Sequence, residues 1–247
     1  MICFVGAGPG DPELITLKGY KLLQEADLVI YAGSLVNEAL LQYTRPGTRI
    51  FNSAQLNLEE IVDLMDEAHT QGQNVVRLHT GDPSLYGAIG EQMNLLTDRG
   101  IPYLVVPGVS SFLAAAASLQ REYTVPDETQ TLIITRLEGR TPVPPAEEMR
   151  LLAAHGSSMV IFLSVDMIEK VVLQLLEGAY TPETPAAVVE KASWPEERVV
   201  EGNLGNIAAL TRAAGINKTA LIMIGKFLSS SGKSKLYDRE FSHGFRK

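Results

Sequence analysis

Through the first half of the chain, short apolar runs alternate with longer amphipathic stretches. Residues 2–5, 28–31, 49–51, 74–78 and 103–106 read as strands, several of them apolar at successive positions, as a sheet covered on both faces requires. Between them the spacing predicts helices over 14–25, 37–43, 58–71 and 89–99. The third is the clearest. Asn57 can cap it, Ile61, Val62, Leu64, Met65 and Ala68 share one face, and Gly72 can stop it. Regular β-α alternation implies a parallel sheet.

Pro107-Gly108 breaks the rhythm. An alanine-rich helix follows over 111–119, with Ser110 or Ser111 as its cap, and the chain crosses into a second region near Tyr123. There the pattern predicts strands at 131–135, 158–163, 186–190, 198–201 and 220–224, and helices at 147–154, 166–177 and 206–214. The expected fold is α/β with two α/β domains: an N-terminal parallel-sheet domain over 1–112 and a C-terminal mixed-sheet domain over 113–228. A polar tail, 229–247, is expected to fray in part.

Composition narrows the function. A chain of 247 residues with 45% hydrophobic content has ample core for one large domain or two small ones. A net charge of −8 speaks against nucleic acid, which needs a basic face, but leaves room for a local basic cleft. One cysteine, Cys3, rules out a disulfide within the chain and fits a reducing cytoplasm. No basic segment of a signal peptide precedes the first strand, and apolar runs such as 159–163 are too short to span a bilayer, so no membrane partner is expected. Histidines 69, 79, 155 and 243 make no ligand spacing, so no protein-built metal site is expected.

Candidate chemistry starts at the first turn. Glycines at 6, 8 and 10 follow the first strand, where an α/β domain exposes backbone N–H groups to ligands. The spacing is not that of a dinucleotide site. The sixth fingerprint position is Asp11, Pro9 offers no N–H, and Ala32-Gly33-Ser34 after the second strand holds no acid for a ribose. Two further loops fall at strand ends, Thr80-Gly81-Asp82-Pro83 and Pro107-Gly108-Val109-Ser110-Ser111. All three are rich in glycine, proline and small polar residues, and one shared cleft is expected at the carboxyl ends of the strands. Asp82 offers an acceptor for hydroxyls or positive charge; as a lone residue it reads equally as a turn or cap.

Gly6-Ala-Gly-Pro-Gly-Asp-Pro12, Gly81-Asp82-Pro83 and Val106-Pro-Gly-Val-Ser-Ser111 together resemble the tetrapyrrole (corrin/porphyrin) methylases, a class of S-adenosylmethionine-dependent methyltransferases. The likeness runs across nearly the whole chain and includes Val189-Glu-Lys-Ala192 and Arg198-Val-Val-Glu-Gly-Asn-Leu204. Tyr31-Ala-Gly-Ser-Leu-Val36, Arg77-Leu-His-Thr-Gly-Asp-Pro-Ser-Leu-Tyr-Gly87, Tyr123-Thr-Val-Pro126 and the C-terminal Ser234-Lys-Leu-Tyr-Asp238 and Phe241-Ser-His-Gly-Phe-Arg246 are similar to the subgroup acting on precorrin-4. The resemblance implies two domains with the cofactor folded between them, and a homodimer. It carries cofactor contacts onto Pro9, Thr80, Gly81, Asp82, Leu85, Ser110 and Ser111. It carries others onto Leu163, where relatives often have Met, onto Ala192, where many have Gly, and onto Thr219, Ala220 and Leu221 near the adenine.

A sulfonium methyl donor already carries a good leaving group, so alignment matters more than a protein nucleophile. The absence of a triad, metal site or activated cysteine motif is consistent with that, and no catalytic residue is assigned. A macrocycle with rim carboxylates suits arginine; Arg77, Arg121 and Arg136, near expected strand ends or the domain junction, are candidate substrate contacts, with a surface or ion-pair role equally open for each. Tyr86 divides evenly between lining the substrate trough and packing, and His79 reads as a buried, hydrogen-bonded structural residue. The metal-free macrocycle is the first expectation and its cobalt form the alternative. A ribosomal RNA ribose methylase or a diphthine-forming methylase of the same fold, a nicotinamide oxidoreductase and a non-catalytic nucleotide sensor are the rival readings.

Overall fold

In the computed structural model, residues 1–33, 35–230, 232–234, 241, 242 and 244 are described. The chain forms two compact units, Met1–Ala114 with Lys191–Glu197, and Ala115–Glu190 with Arg198–Lys247. The division falls two residues beyond the expected one. The segment 191–197, which the linear reading left in the second domain, belongs to the first unit.

The first unit is built on β1 (Ile2–Gly6), β2 (Leu28–Tyr31), β3 (Arg49–Asn52), β4 (Val75–His79) and β5 (Tyr103–Val106). They form one sheet in the order β3-β2-β4-β1-β5, parallel throughout. Alternate residues of each strand feed two cores. Ile2, Phe4, Leu28, Ile30 and Val75 pack with Val62 and Met65 of α2 (Leu58–Thr70) and Leu96 of α3 (Ile89–Asp98). Cys3, Val5, Val29, Val76 and Leu78 pack on the other side with Leu23 of α1 (Leu17–Glu25) and with Leu40. Burial on both faces explains the near-continuous apolar runs. The Asn57 cap is present as a full capping box with Glu60.

Two expected helices differ. Residues 12–14 form a separate 3-10 turn capped by Asp11, and α1 starts only at Leu17, because the Thr16 hydroxyl accepts the Gly19 N–H at 3.1 Å and sets the helix start there. The segment Glu38–Tyr43 is a 3-10 helix rather than an α-helix. Gly19 also allows close packing of α1 on the sheet: a Cβ there would lie 2.9 Å from Val5 Cγ1.

The second unit carries β6 (Leu132–Arg136), β7 (Ser158–Phe162), β8 (Pro185–Glu190), β9 (Arg198–Asn203) and β10 (Ala220–Ile224), in the order β6-β7-β10-β8-β9. Only the β6–β7 pair is parallel, so the expected mixed sheet is found. Between β5 and β6 runs α4 (Ser111–Leu119). One face of this sheet is covered by α5 (Met149–Ala153), α6 (Ile168–Leu176) and α7 (Ile207–Ala213) through Ala153, Ile168, Val171, Leu175 and Ile207. The tail motif at 234–246 falls largely outside the described residues, as does Ser34 of the 31–36 motif. Among the described residues no helix is long and apolar enough to cross a membrane. No group of three or more His, Cys, Asp or Glu side chains there is placed to hold a metal ion.

Candidate functional site

Parallel pairing fixes where the three loops emerge. Gly6, the last residue of β1, pairs with His79, the last of β4, and β5 lies on the other side of β1. The loops after β1, β4 and β5 therefore leave from the same edge of the sheet, and their backbones meet. Ala7 N–H donates to His79 O at 2.7 Å, and Gly8 and Gly81 exchange N–H···O bonds of 3.3 and 2.8 Å. Gly8 and Gly81 adopt φ +78° and +58°, the left-handed region that glycine enters without a Cβ penalty. A Cβ on Gly108 would sit 2.1 Å from Gly81 O, and one on Gly6 would sit 2.5 Å from the Gly108 Cα. The three loops thus touch through their backbones, at a separation that only glycine permits.

Asp82 braces this junction. Its Oδ1 accepts the Ser84 N–H at 2.8 Å and its Oδ2 the Gly108 N–H at 2.9 Å, which ties the second loop to the third. Turn-cap and functional readings of this residue are therefore not exclusive. A half-buried carboxylate has lone pairs left after two bonds. Ser110 is buried beside Gly81, and Ser111 opens α4. Thr80 precedes this junction, and the N–H of Leu85 bonds back to Asp82 O at 3.3 Å.

The first loop corrects the expectation of freely offered N–H groups. Those of Ala7 and Gly8 are committed to β4 and the second loop, and that of Asp11 donates to Ser193 Oγ at 3.0 Å. The Asp11 carboxylate caps the following 3-10 turn. Trp194 Nε1 donates to Pro9 O at 2.9 Å and Asn37 Nδ2 to Gly10 O at 2.8 Å. Ser193, Trp194 and Asn37 were not singled out by sequence. The one available signal was that Trp194 is the chain's single tryptophan. Ala192 is buried in the same segment, between Lys191 and Ser193, whose φ values are +49° and +68°.

The remaining residues expected to touch the cofactor lie in the second unit. Antiparallel pairing of Ile161 with Ile222 sets the end of β7, where Leu163 follows, beside the start of β10, where Thr219 precedes Ala220 and Leu221. Leu163 is 61% exposed, and it and Thr219 have φ +52° and +51°. Left-handed backbone at non-glycine residues costs energy and concentrates at functional sites. Tyr86 shares the feature, with φ +56° and a half-exposed ring.

The arginines separate. Arg77 is a correction: it lies in mid-β4, 5% exposed, with Nε donating to Gln92 Oε1 at 3.1 Å and Nη1 to Ile30 O at 3.2 Å. Burial pushes its guanidinium down to about 10. An arginine so enclosed and hydrogen-bonded presents no fork to a ligand. Arg136 is half-buried, and its Nη1 and Nη2 donate to the carbonyls of Leu137, Thr141 and Pro142. Arg121, just past α4, is exposed and has no ion-pair partner among the described residues. His79 is buried as expected, but its Nε2 has no hydrogen-bond partner among the described residues. Burial, with the Arg77 charge beside it, pushes its imidazole down to about 3.

That histidine should leave a pH signature. The unfolded chain takes up a proton near the ordinary value of 6.5, and the folded one only near 3. Protons therefore favour the unfolded state in this window, and stability falls as pH drops from about 6.5 towards 3. Urea unfolding of His79→Gln at pH 7 and pH 5 should show a smaller loss than the unaltered protein; equal losses would contradict the assignment.

Comparison with known proteins bears on this geometry. The sequence profile of the tetrapyrrole (corrin/porphyrin) methylases matches residues 1–208. The chain belongs to this family. A cobalt-precorrin-4 C(11)-methyltransferase of Methanocaldococcus jannaschii is 57% identical, over 100% of this chain and 96% of that protein. A precorrin-4 C(11)-methyltransferase of Pseudomonas aeruginosa is 46% identical over 99% and 98%. The solved structure of a cobalt precorrin-4 methyltransferase superposes with a TM-score of 0.91 and 46% identity, covering 93% of this chain and 96% of that one. A uroporphyrin-III C-methyltransferase of Thermus thermophilus in complex with S-adenosylhomocysteine gives 0.75 at 33% identity, with 92% and 98% covered.

Proposed function

We propose that this methylase transfers a methyl group from S-adenosylmethionine to C11 of precorrin-4, giving precorrin-5 in cobalamin biosynthesis. The observation that carries the reading is the full-length identity to relatives of that name. The site's chemistry supports it. Three glycine-bearing loops, packed backbone to backbone at the carboxyl edge of a parallel sheet, make a rigid wall of the kind a small cofactor needs.

Bound S-adenosylmethionine supplies an electrophilic methyl group. Pro9, Thr80, Gly81, Asp82, Leu85, Ser110, Ser111 and Ala192 of the first unit, and Leu163, Thr219, Ala220 and Leu221 of the second, are the residues proposed to hold it. Their task is orientation, which can supply much of the acceleration of a displacement reaction. Apolar Leu85 and Leu163 keep water off, while Asp82 fixes the second and third loops and keeps acceptor capacity for a polar group. For the macrocycle, Arg121 is the candidate for a rim carboxylate and Tyr86 for its face. The protein is proposed to work in the cytoplasm as a homodimer, without nucleic acid, membrane or protein-bound metal.

A second reading concerns the macrocycle. The higher identity of the Methanocaldococcus jannaschii relative favours the cobalt form of precorrin-4 as the natural substrate. Calorimetry should show saturable binding of S-adenosylhomocysteine and none of NADH. Turnover assays with precorrin-4, with and without cobalt, should then yield S-adenosylhomocysteine and a product heavier by one CH2 (a methyl gained, a proton released), and the faster substrate identifies the branch. NADH binding without S-adenosylhomocysteine binding would overturn the reading.

A further inference from the structure

The segment 191–197 joins β8 to β9 of the second sheet but belongs to the first unit. There it lies across the first glycine loop. The indole N–H of Trp194 reaches Pro9 O at 2.9 Å, and the Ser193 hydroxyl accepts the Asp11 N–H at 3.0 Å. The ring is packed so closely on the loop that a Cβ on Gly10 would fall 2.0 Å from Trp194 Cδ1. The segment is itself held in shape. Ser193 N–H donates to Glu197 Oε2 at 2.6 Å, Lys191 Nζ lies 5.5 Å from the indole centroid, and it pairs with Glu196 at 3.6 Å. Lys191 and Ser193 are held in left-handed backbone on either side of buried Ala192.

A seven-residue hairpin connection does not need this much order; a two- to five-residue loop suffices to join antiparallel strands. Nor does the first loop need external donors for the sheet, since its ties to the second loop are already made. What the strap adds is a fixed direction for the Pro9 carbonyl and the Asp11 amide, at the tip of the loop that faces the ligand side of the sheet. Without it, Pro9 O and Asp11 N–H would turn to water and the glycines on either side would permit many tip conformations.

We propose that Ser193 and Trp194 are positioning residues for methyl transfer: they clamp the tip of the first loop in the single conformation that receives the cofactor. The inference rests on reading that loop as part of the S-adenosylmethionine site. Trp194→Phe keeps an aromatic ring, though a smaller one, and removes the donor; Ser193→Ala removes the other bond. Each is expected to weaken S-adenosylhomocysteine binding roughly five- to tenfold, the worth of one net hydrogen bond, and to raise KM for the cofactor more than it lowers kcat. Thermal stability should change little. Being the chain's single tryptophan, Trp194 also reports directly in the unaltered protein. Its emission should show an indole already shielded from water before any cofactor is added.

The outcomes separate. If folded, unaltered protein binds no S-adenosylhomocysteine, the cofactor reading fails and takes the clamp with it. If the unaltered protein binds but both variants bind equally well, the clamp alone is overturned. Should the variants not fold, a Trp194 emission maximum at the fully water-exposed position in the cofactor-free protein, showing the indole off the loop, overturns it in their place.

Discussion

Gly108→Ala is expected to destabilise the first unit more than any other single-methyl change considered. The added Cβ would stand 2.1 Å from Gly81 O and 2.7 Å from Gly6 Cα. Overpacking a core costs about 1–3 kcal/mol when side chains can rotate away. Here the opposing atoms are backbone, and they belong to two loops that are tied to each other by the Gly8–Gly81 bridge. The cost should therefore reach about 3 kcal/mol or more, at or beyond the upper end of that range. Gly6→Ala should behave alike, since its Cβ would meet Gly108 N and Cα at 2.5 Å. A helical control keeps the test honest. Gly90 lies in α3 with nothing within 4 Å of its added Cβ, so Gly90→Ala should stabilise by up to about 1 kcal/mol through helix propensity. Urea unfolding midpoints measure all three; a Gly108→Ala midpoint equal to the unaltered one would refute the close approach of the loops.

The second large effect is expected at Asp82. Its carboxylate accepts from Ser84 N–H and Gly108 N–H, and charge-assisted bonds contribute about 1.5–3 kcal/mol each. Asp82→Ala removes both and frees the third loop from the second. Asp82→Asn keeps the shape, but turns an NH2 group toward one of two N–H donors, so one bond becomes a repulsion. Both variants should bind S-adenosylhomocysteine roughly a hundredfold more weakly or worse, a loss of about 3 kcal/mol. The alanine variant should also melt earlier. Calorimetry with a parallel melting curve separates the two contributions. An asparagine variant with unaltered affinity and melting point would mean that the brace is unimportant.

The three arginines show what linear reading leaves open. Arg77, Arg121 and Arg136 looked equivalent, being single basic residues near strand ends. In the fold Arg77 is enclosed between strand and helix by Gln92 and Ile30 O, Arg136 is spent on the carbonyls of its own following loop, and Arg121 is exposed. Nothing in the local sequence distinguishes them, because the difference lies in partners 15 and 47 positions away for Arg77. The strap was missed for the same reason. Trp194 meets Pro9 across 185 positions of sequence, and no periodicity connects them.

Other features needed no folding to be seen. Apolar runs on both faces dictated a parallel first sheet, the Asn57–Glu60 cap set the start of α2, and strand 220–224 was placed to the residue. The three loops were found because glycine, proline and aspartate have narrow backbone preferences that operate locally. Local sterics and hydrophobic period thus determined the elements, the sheet type and the loops that carry the family's motifs. Only the tertiary structure decided what those loops do to one another. It spent the amides of Ala7, Gly8 and Asp11 on internal partners, made Asp82 a brace, enclosed Arg77 and His79, and brought Trp194 to the first loop. These depend on which remote groups satisfy each buried donor and acceptor, and that matching is settled by packing in three dimensions.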